Sequence, residues 1–346
     1  MLSLIPLLPR LISLLAIVLM LPYSLRAIPF QPIFMLTNGL TYVEIPFTLV
    51  NNLIVVEVVV AGKRPMNFIL DNATTNPVIF HKDYIRGLPL ALGNKITVRG
   101  AGKGRAVQAT LISGTSLHLS GAATDRIGMV VLDKNPFAQL RGGRKKIHGL
   151  LGSTLFRSFI VEIDYPNQVL RLHQHENFSE TNDYQSLPMK VVNGRPYLSA
   201  LVQGELTTME MNLMVDLGFN NALLLQLSDS LVRKLITKPK TAKVGIGLNG
   251  ILKGKKGAVN SILIGPSYYE EVATIVPFAK SLPTQELSPG IPRMGSIGNT
   301  MFQGTSIIFN YPEEKFYIAC PLPLLADQNG ELPSKTRPNE PKKLVF

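Results

Sequence analysis

The stretch Asn67-Phe-Ile-Leu-Asp-Asn-Ala-Thr-Thr75 returns 145 residues later as Asn212-Leu-Met-Val-Asp-Leu-Gly-Phe-Asn220. Each copy runs as an apolar, strand-like segment into a single acid, Asp71 or Asp216, and then into turn-prone residues and a second apolar run. An acid at the end of a buried strand is costly unless it is solvated, paired or hydrogen-bonded. One such Asp is usually a turn residue. Two in matched surroundings point to two halves built alike, with their carboxyl groups meeting at a shared site.

The repeat extends well past the acids. Shifted by the same 145 residues, Gly100 and Gly102 fall on Gly245 and Gly247. Gly149-Leu-Leu-Gly152 matches Gly295-Ser-Ile-Gly298, and the Tyr-Pro pair at 165–166 matches the one at 311–312, both at an offset of 146. Several features in one order at nearly constant spacing define an internal duplication, a stronger signal than any local motif. Within each half, β-branched runs bounded by turn residues read as strands. Leu53–Val60 turns at Ala61–Pro65 and runs back through Met66–Leu70 into Asp71. Leu198–Val202 turns at Gln203-Gly204 and returns through Glu210–Val215 into Asp216. The best helix signal is Ser228–Ile236, capped by Ser228 or Asp229, and short helices are expected after Gly152 and Gly298. The class is mainly β, in two similar lobes.

The ends of the chain have a different character. Arg10 precedes the apolar run Leu11–Leu21, and Ala27 follows it, so residues 1–27 read as a signal peptide or a membrane anchor. The run is shorter than the roughly 20 residues of a spanning helix. The expected location is exported, periplasmic or secreted, with membrane association through this segment if it is retained. Lobes are expected at 40–178 and 186–322, joined by the polar stretch Glu176–Asp183, and 327–346 reads as a flexible tail. With 35 Lys+Arg against 23 Asp+Glu the net charge is +12. The basic residues are scattered apart from a cluster at Arg141–Lys146, and no aromatic-rich basic strand accompanies them, so nucleic acid is not the expected partner.

The lone Cys320 excludes an intramolecular disulfide and a multi-cysteine metal site, and reads as an ordinary half-buried residue. His173 and His175 share one face if their strand continues, but without a third ligand they read as a solvated strand end; His148 reads as structural. Gly245-Ile-Gly-Leu-Asn-Gly250 matches G-x-G-x-x-G in form. No helix signal follows it, so it reads as a glycine-rich hairpin rather than a dinucleotide site. No metal or cofactor is expected.

Together, the paired Asp loops, the glycine-rich hairpins and the two hydrophobic-hydrophobic-Gly turns at Leu150-Leu151-Gly152 and Ser296-Ile297-Gly298 resemble the pepsin/retropepsin class of aspartic proteases, especially bacterial exported members with two lobes. The resemblance spans roughly 45–320. It implies two β-barrel-like lobes with a cleft between them, a monomer, and a peptide or protein substrate. Asp71 and Asp216 would form a catalytic dyad. Asn72, Ala73, Leu217 and Gly218 would shape its loops, and Gly100, Gly102 and Gly104 would belong to a flap, Val98–Arg105, over the cleft. The chain departs from the family triplet in both loops. Where the family uses Thr or Ser hydroxyls to cross-link the loops, Asn72 can still donate and accept. Leu217 can do neither, so at least half of that lock is expected to be lost. Ala73 adds a Cβ where the family has Gly, and Phe219 is expected to crowd the cleft. Two functions follow: an aspartic-type endopeptidase, or a catalytically impaired relative of the same fold that binds a peptide or protein without cutting it. A weaker third is an envelope-anchored scaffold.

Overall fold

A computed structural model describes residues 34–138, 145–180, 182–282 and 293–320. The expected leader, the tail and Arg141–Arg144 of the basic cluster lie outside these residues.

The duplication is carried out strand by strand. In the first half, Leu53–Val60 and Arg64–Leu70 pair as a hairpin, and Gly149–Leu151 lies parallel to Arg64–Leu70 and antiparallel to Val78–Ile79. In the second half, Arg195–Gln203 and Thr208–Asp216 pair as a hairpin. Gly295–Gly298 lies parallel to Thr208–Asp216 and antiparallel to Leu223–Leu225. Both acids therefore end a strand flanked by a short strand recruited from the far end of the same half. Alternation of buried and exposed side chains along these strands, as in Arg195–Gln203, fits sheets with one face in the core. The first sheet also recruits Met35–Leu36, which pairs with Ala122–Ala123 ahead of the expected lobe boundary.

The third sheet is shared by the two halves. Ile160–Asp164 pairs antiparallel with Ser306–Asn310, so the repeated strands meet each other at its centre. Val169–His173 and Tyr42–Pro46 extend it on one side, and Lys315–Ala319 and Tyr184–Pro188 on the other. Strands of the two halves thus form one hydrogen-bonded base beneath the loops that carry the acids. The helix Asp229–Leu235 is capped by the Ser228 side chain, and a short helix, Thr154–Ser158, and a 3-10 turn, Asn299–Met301, follow Gly152 and Gly298 as expected. Among the described residues no helix is long and apolar enough to cross a membrane.

Three expectations are corrected here. His173 is not a solvated strand end: its Nε2 lies 3.0 Å from Glu162 Oε2. Burial alone would raise the Glu162 carboxyl, but hydrogen bonds from His173, Arg171 and Tyr184 hold it below the ordinary glutamate range. Arg171 also pairs with Glu44 and Asp164, so the charges cross-link neighbouring strands of the shared sheet. His175 is half-buried beside it. Cys320 is exposed rather than half-buried. Leu150 and Leu151, two apolar residues before a turn, are both expected to pack beneath the Asp71 loop; Leu151 does, fully buried with its carbonyl accepting the Asp71 N–H (2.9 Å), whereas Leu150 lines the cleft.

Candidate active site

The two acid loops face each other across a cleft of about 1410 Å³. Asp71 is 8% exposed. Its Oδ1 accepts the N–H groups of Ala73 (2.9 Å) and Thr74 (3.2 Å), and its Oδ2 accepts the Thr74 hydroxyl (2.9 Å). Asp216 Oδ1 accepts the Gly218 N–H (3.1 Å), the counterpart of the Ala73 contact. The loops are in van der Waals contact. A Cβ added to Gly218 would lie 2.6 Å from Asp71 Cγ, so any larger residue there would displace the Asp71 carboxyl.

Asn72 takes over part of the lock between the loops. Its Oδ1 accepts the Leu217 N–H (2.9 Å) across the two halves, in a fully buried position. Leu217 contributes its backbone on both sides, since its carbonyl accepts from Asn299 Nδ2, and Asn299 Oδ1 in turn accepts the Tyr165 hydroxyl (2.5 Å). The Leu217 side chain is fully buried and packs into the main core rather than into the cleft. Ala73 keeps a backbone conformation outside the left-handed region, so its Cβ is accommodated without backbone strain. Phe219 does line the cleft, and packs beside Val244, Leu252 and Ile275 on its second-half wall.

Two arginines that the sequence did not single out flank the acids. Arg195 Nε donates to the Ala73 carbonyl (2.9 Å), and Arg293 Nη2 donates to Ser296 Oγ (2.7 Å) while lying 3.9 Å from Asp216 Oδ2. Neither lies within the repeated Asp motifs. Thr74 lies inside the opening stretch, but its hydroxyl contact has no counterpart in the second half, where Phe219 takes its place.

Burial raises both carboxyl groups. For Asp71, the Thr74 and Ala73 hydrogen bonds and the charge of Arg195 oppose that rise without cancelling it. Asp216 is pushed up to about 7 by burial and then by the negative charge of Asp71, against the pull of Arg293, the Gly218 N–H and Arg195. Two acids that feel each other in this way titrate as a pair and retain one proton over a wide range; aspartic proteases are the standard illustration of this behaviour.

Gly100, Gly102 and Gly104 lie in the loop between Ala91–Val98 and Val107–Leu119, over the cleft. This loop meets the tip of the second glycine-rich hairpin, formed by Thr237–Gly247 and Gly250–Ile264. Asn249 joins them: its Oδ1 accepts from Gly100 N–H (2.5 Å), its Nδ2 donates to the Arg105 carbonyl (2.5 Å), its N–H donates to Ala101 O (2.9 Å), and its carbonyl accepts from Gly104 N–H (2.6 Å). A Cβ at Gly102 would stand 2.4 Å from the Asn249 carbonyl carbon. Among the described residues no group of three or more His, Cys, Asp or Glu side chains is placed to hold a metal.

No protein-family model matches the chain, and no curated protein matches its sequence. Among solved structures, the fold is similar to the aspartic proteinase from Irpex lacteus, with a TM-score of 0.51 at 13% identity, over 80% of this chain and 97% of that one. The likeness establishes a pepsin-like, two-lobed β fold.

Proposed function

We propose that the chain is an aspartic-type endopeptidase in which Asp71 and Asp216 activate one water between them. The observation that carries this reading is the placement of the two acids, from matched strand ends, on touching loops at the floor of one cleft. The three hydrogen bonds donated to Asp71 favour it as the ionised member, and Asp216 as the holder of the proton. Asp71 takes a proton from the water as its oxygen bonds to the peptide carbonyl carbon. Asp216 gives its proton to the carbonyl oxygen as that oxygen takes up the electron pair. Collapse of the tetrahedral species breaks the C–N bond as the nitrogen takes the proton from Asp71, and the hydroxyl that becomes the new C=O returns its proton to Asp216, which restores the one-proton pair.

Mass-spectrometric analysis of a broad peptide library tests the proposal. Cleavage is expected from the wild type, with a loss of at least about a thousandfold in Asp71→Asn and in Asp216→Asn, and inhibition by a statine-type transition-state mimic. Cleavage that survives both substitutions would overturn it. Arg293 against Asp216 favours a second reading, a peptide-binding relative that does not cut. Binding without dyad-dependent turnover is the result that would select it. Export of the mature chain, starting near Ile28, belongs to either reading and is checked by sequencing the N-terminus of the recovered protein.

A further inference from the structure

The cleft carries more positive charge than a peptide hydrolase of this chemistry needs. Besides the two acids, Arg99, Lys103, Arg195, Lys280 and Arg293 line it. With one proton on the acid pair, the floor holds one negative charge against the two guanidiniums. Those guanidiniums are fixed mainly by neutral groups, the Ala73 carbonyl and the Ser296 hydroxyl, and Arg293 Nε is buried with no hydrogen bond. At the roof, Lys103 sits close enough to Lys280 and Lys253 that, after desolvation, their positive charges hold its ammonium below the ordinary lysine range. Arg99, Lys103, Arg195 and Lys280 make no ion pair with a described carboxylate. Cations gathered on a cleft wall in excess of its anions raise the local concentration of an anionic ligand and its rate of encounter.

We propose that this cleft selects anionic peptides, with a substrate carboxylate received by Arg195 and Arg293 beside the dyad and a second acidic position met by Lys103 and Lys280. The inference rests on reading the cleft as a peptide site. The carboxylate has two sources, an Asp or Glu side chain near the scissile bond or a free C-terminus, and both offer a planar pair of oxygens that suits a guanidinium.

The test measures binding separately from cleavage. Fluorescence anisotropy on Asp71→Asn compares matched peptides carrying Glu or Gln beside the central bond, each with a free or amidated C-terminus, at low and high salt. The acidic set is expected to bind about tenfold tighter at low salt, with the gap narrowing as salt rises. A gap that follows the side chain identifies an internal acid; one that follows the terminus identifies a chain-end carboxylate. Adding Arg195→Met is expected to remove most of the gap, and adding the exposed pair Lys103→Gln/Lys280→Gln to cut it about threefold. Adding Lys63→Gln/Lys190→Gln, an equal loss of charge outside the cleft lining, leaves it unchanged. Equal affinity for the two sets, a gap that Lys63→Gln/Lys190→Gln reduces as much as Lys103→Gln/Lys280→Gln, or no measurable binding of either set overturns the inference. Preferential binding of acidic peptides with no turnover by the wild type would leave it standing while the proposed catalysis fails.

Discussion

At the scale of single residues, the acids are set apart by their partners rather than by their sequence contexts. Asp71 accepts three hydrogen bonds from its own loop, whereas Asp216 has one N–H and a guanidinium at 3.9 Å. If the one-proton pair is the active form, cleavage falls as pH rises through about 7, where Asp216 ionises. Arg293 favours the ionised form, so Arg293→Met is expected to move this alkaline limb to higher pH, as read from the pH profile of kcat/KM. An alkaline limb left unchanged, or moved to lower pH, would show that Arg293 does not stabilise the ionised Asp216. The same group affects stability. Its folded pKa lies above the ordinary 3.8, so the folded state binds the extra proton between about pH 4 and 7 and loses stability as pH rises through that window, at roughly 1.4 kcal/mol per pKa unit. Asp216→Asn is expected to flatten the slope in urea melts across it. The acids themselves were legible in the sequence because each ends an apolar strand. Arg195 and Arg293 were not, since they reach the site only through strand pairing and no local pattern marks a guanidinium that will face an acid.

At the scale of elements, the loops are locked by groups that differ from the family pattern. The expectation that Leu217 would cost half of the cross-link overlooked its backbone. A residue without side-chain hydrogen bonding still presents an N–H and a C=O, and Asn72 and Asn299 use both. Asn72→Ala would leave the Leu217 N–H buried and unpaired, at a cost of about 1–3 kcal/mol in unfolding free energy. Gly218→Ala drives a methyl group into the Asp71 carboxyl. The expected result is destabilisation of about 1–3 kcal/mol together with a loss of about a hundredfold or more in kcat from displacement of the reacting group. An active, fully stable Gly218→Ala protein would contradict the contact between the loops. Strand positions and hairpins were readable from β-branched runs and turn residues. The side of the cleft on which Leu150 falls was not, because neighbouring residues in a strand point to opposite faces and the register is set by Ile69 and Val78 on the flanking strands.

At the scale of the whole molecule, the halves are joined at both ends of the cleft: below by the shared six-stranded sheet, and above by Asn249 between the two glycine-rich tips. The duplication announced two similar lobes, but pairing of Ile160–Asp164 with Ser306–Asn310 depends on contacts between the copies, which a repeat period does not encode. Asn249→Ala is expected to speed amide exchange at Gly100 while leaving Phe68 and Leu213 in the sheets protected; unchanged exchange at the tip would contradict the clasp. The central claim is that Asp71 and Asp216 form one titrating site. It is tested most directly by carboxyl-carbon NMR of aspartate-labelled protein across pH 3–9, in the wild type and in Asp71→Asn. The expected Asp216 midpoint lies near 7 and falls when Asp71 is neutralised, because part of its rise comes from the Asp71 charge. An Asp216 midpoint in the ordinary aspartate range, indifferent to Asp71→Asn, would contradict it.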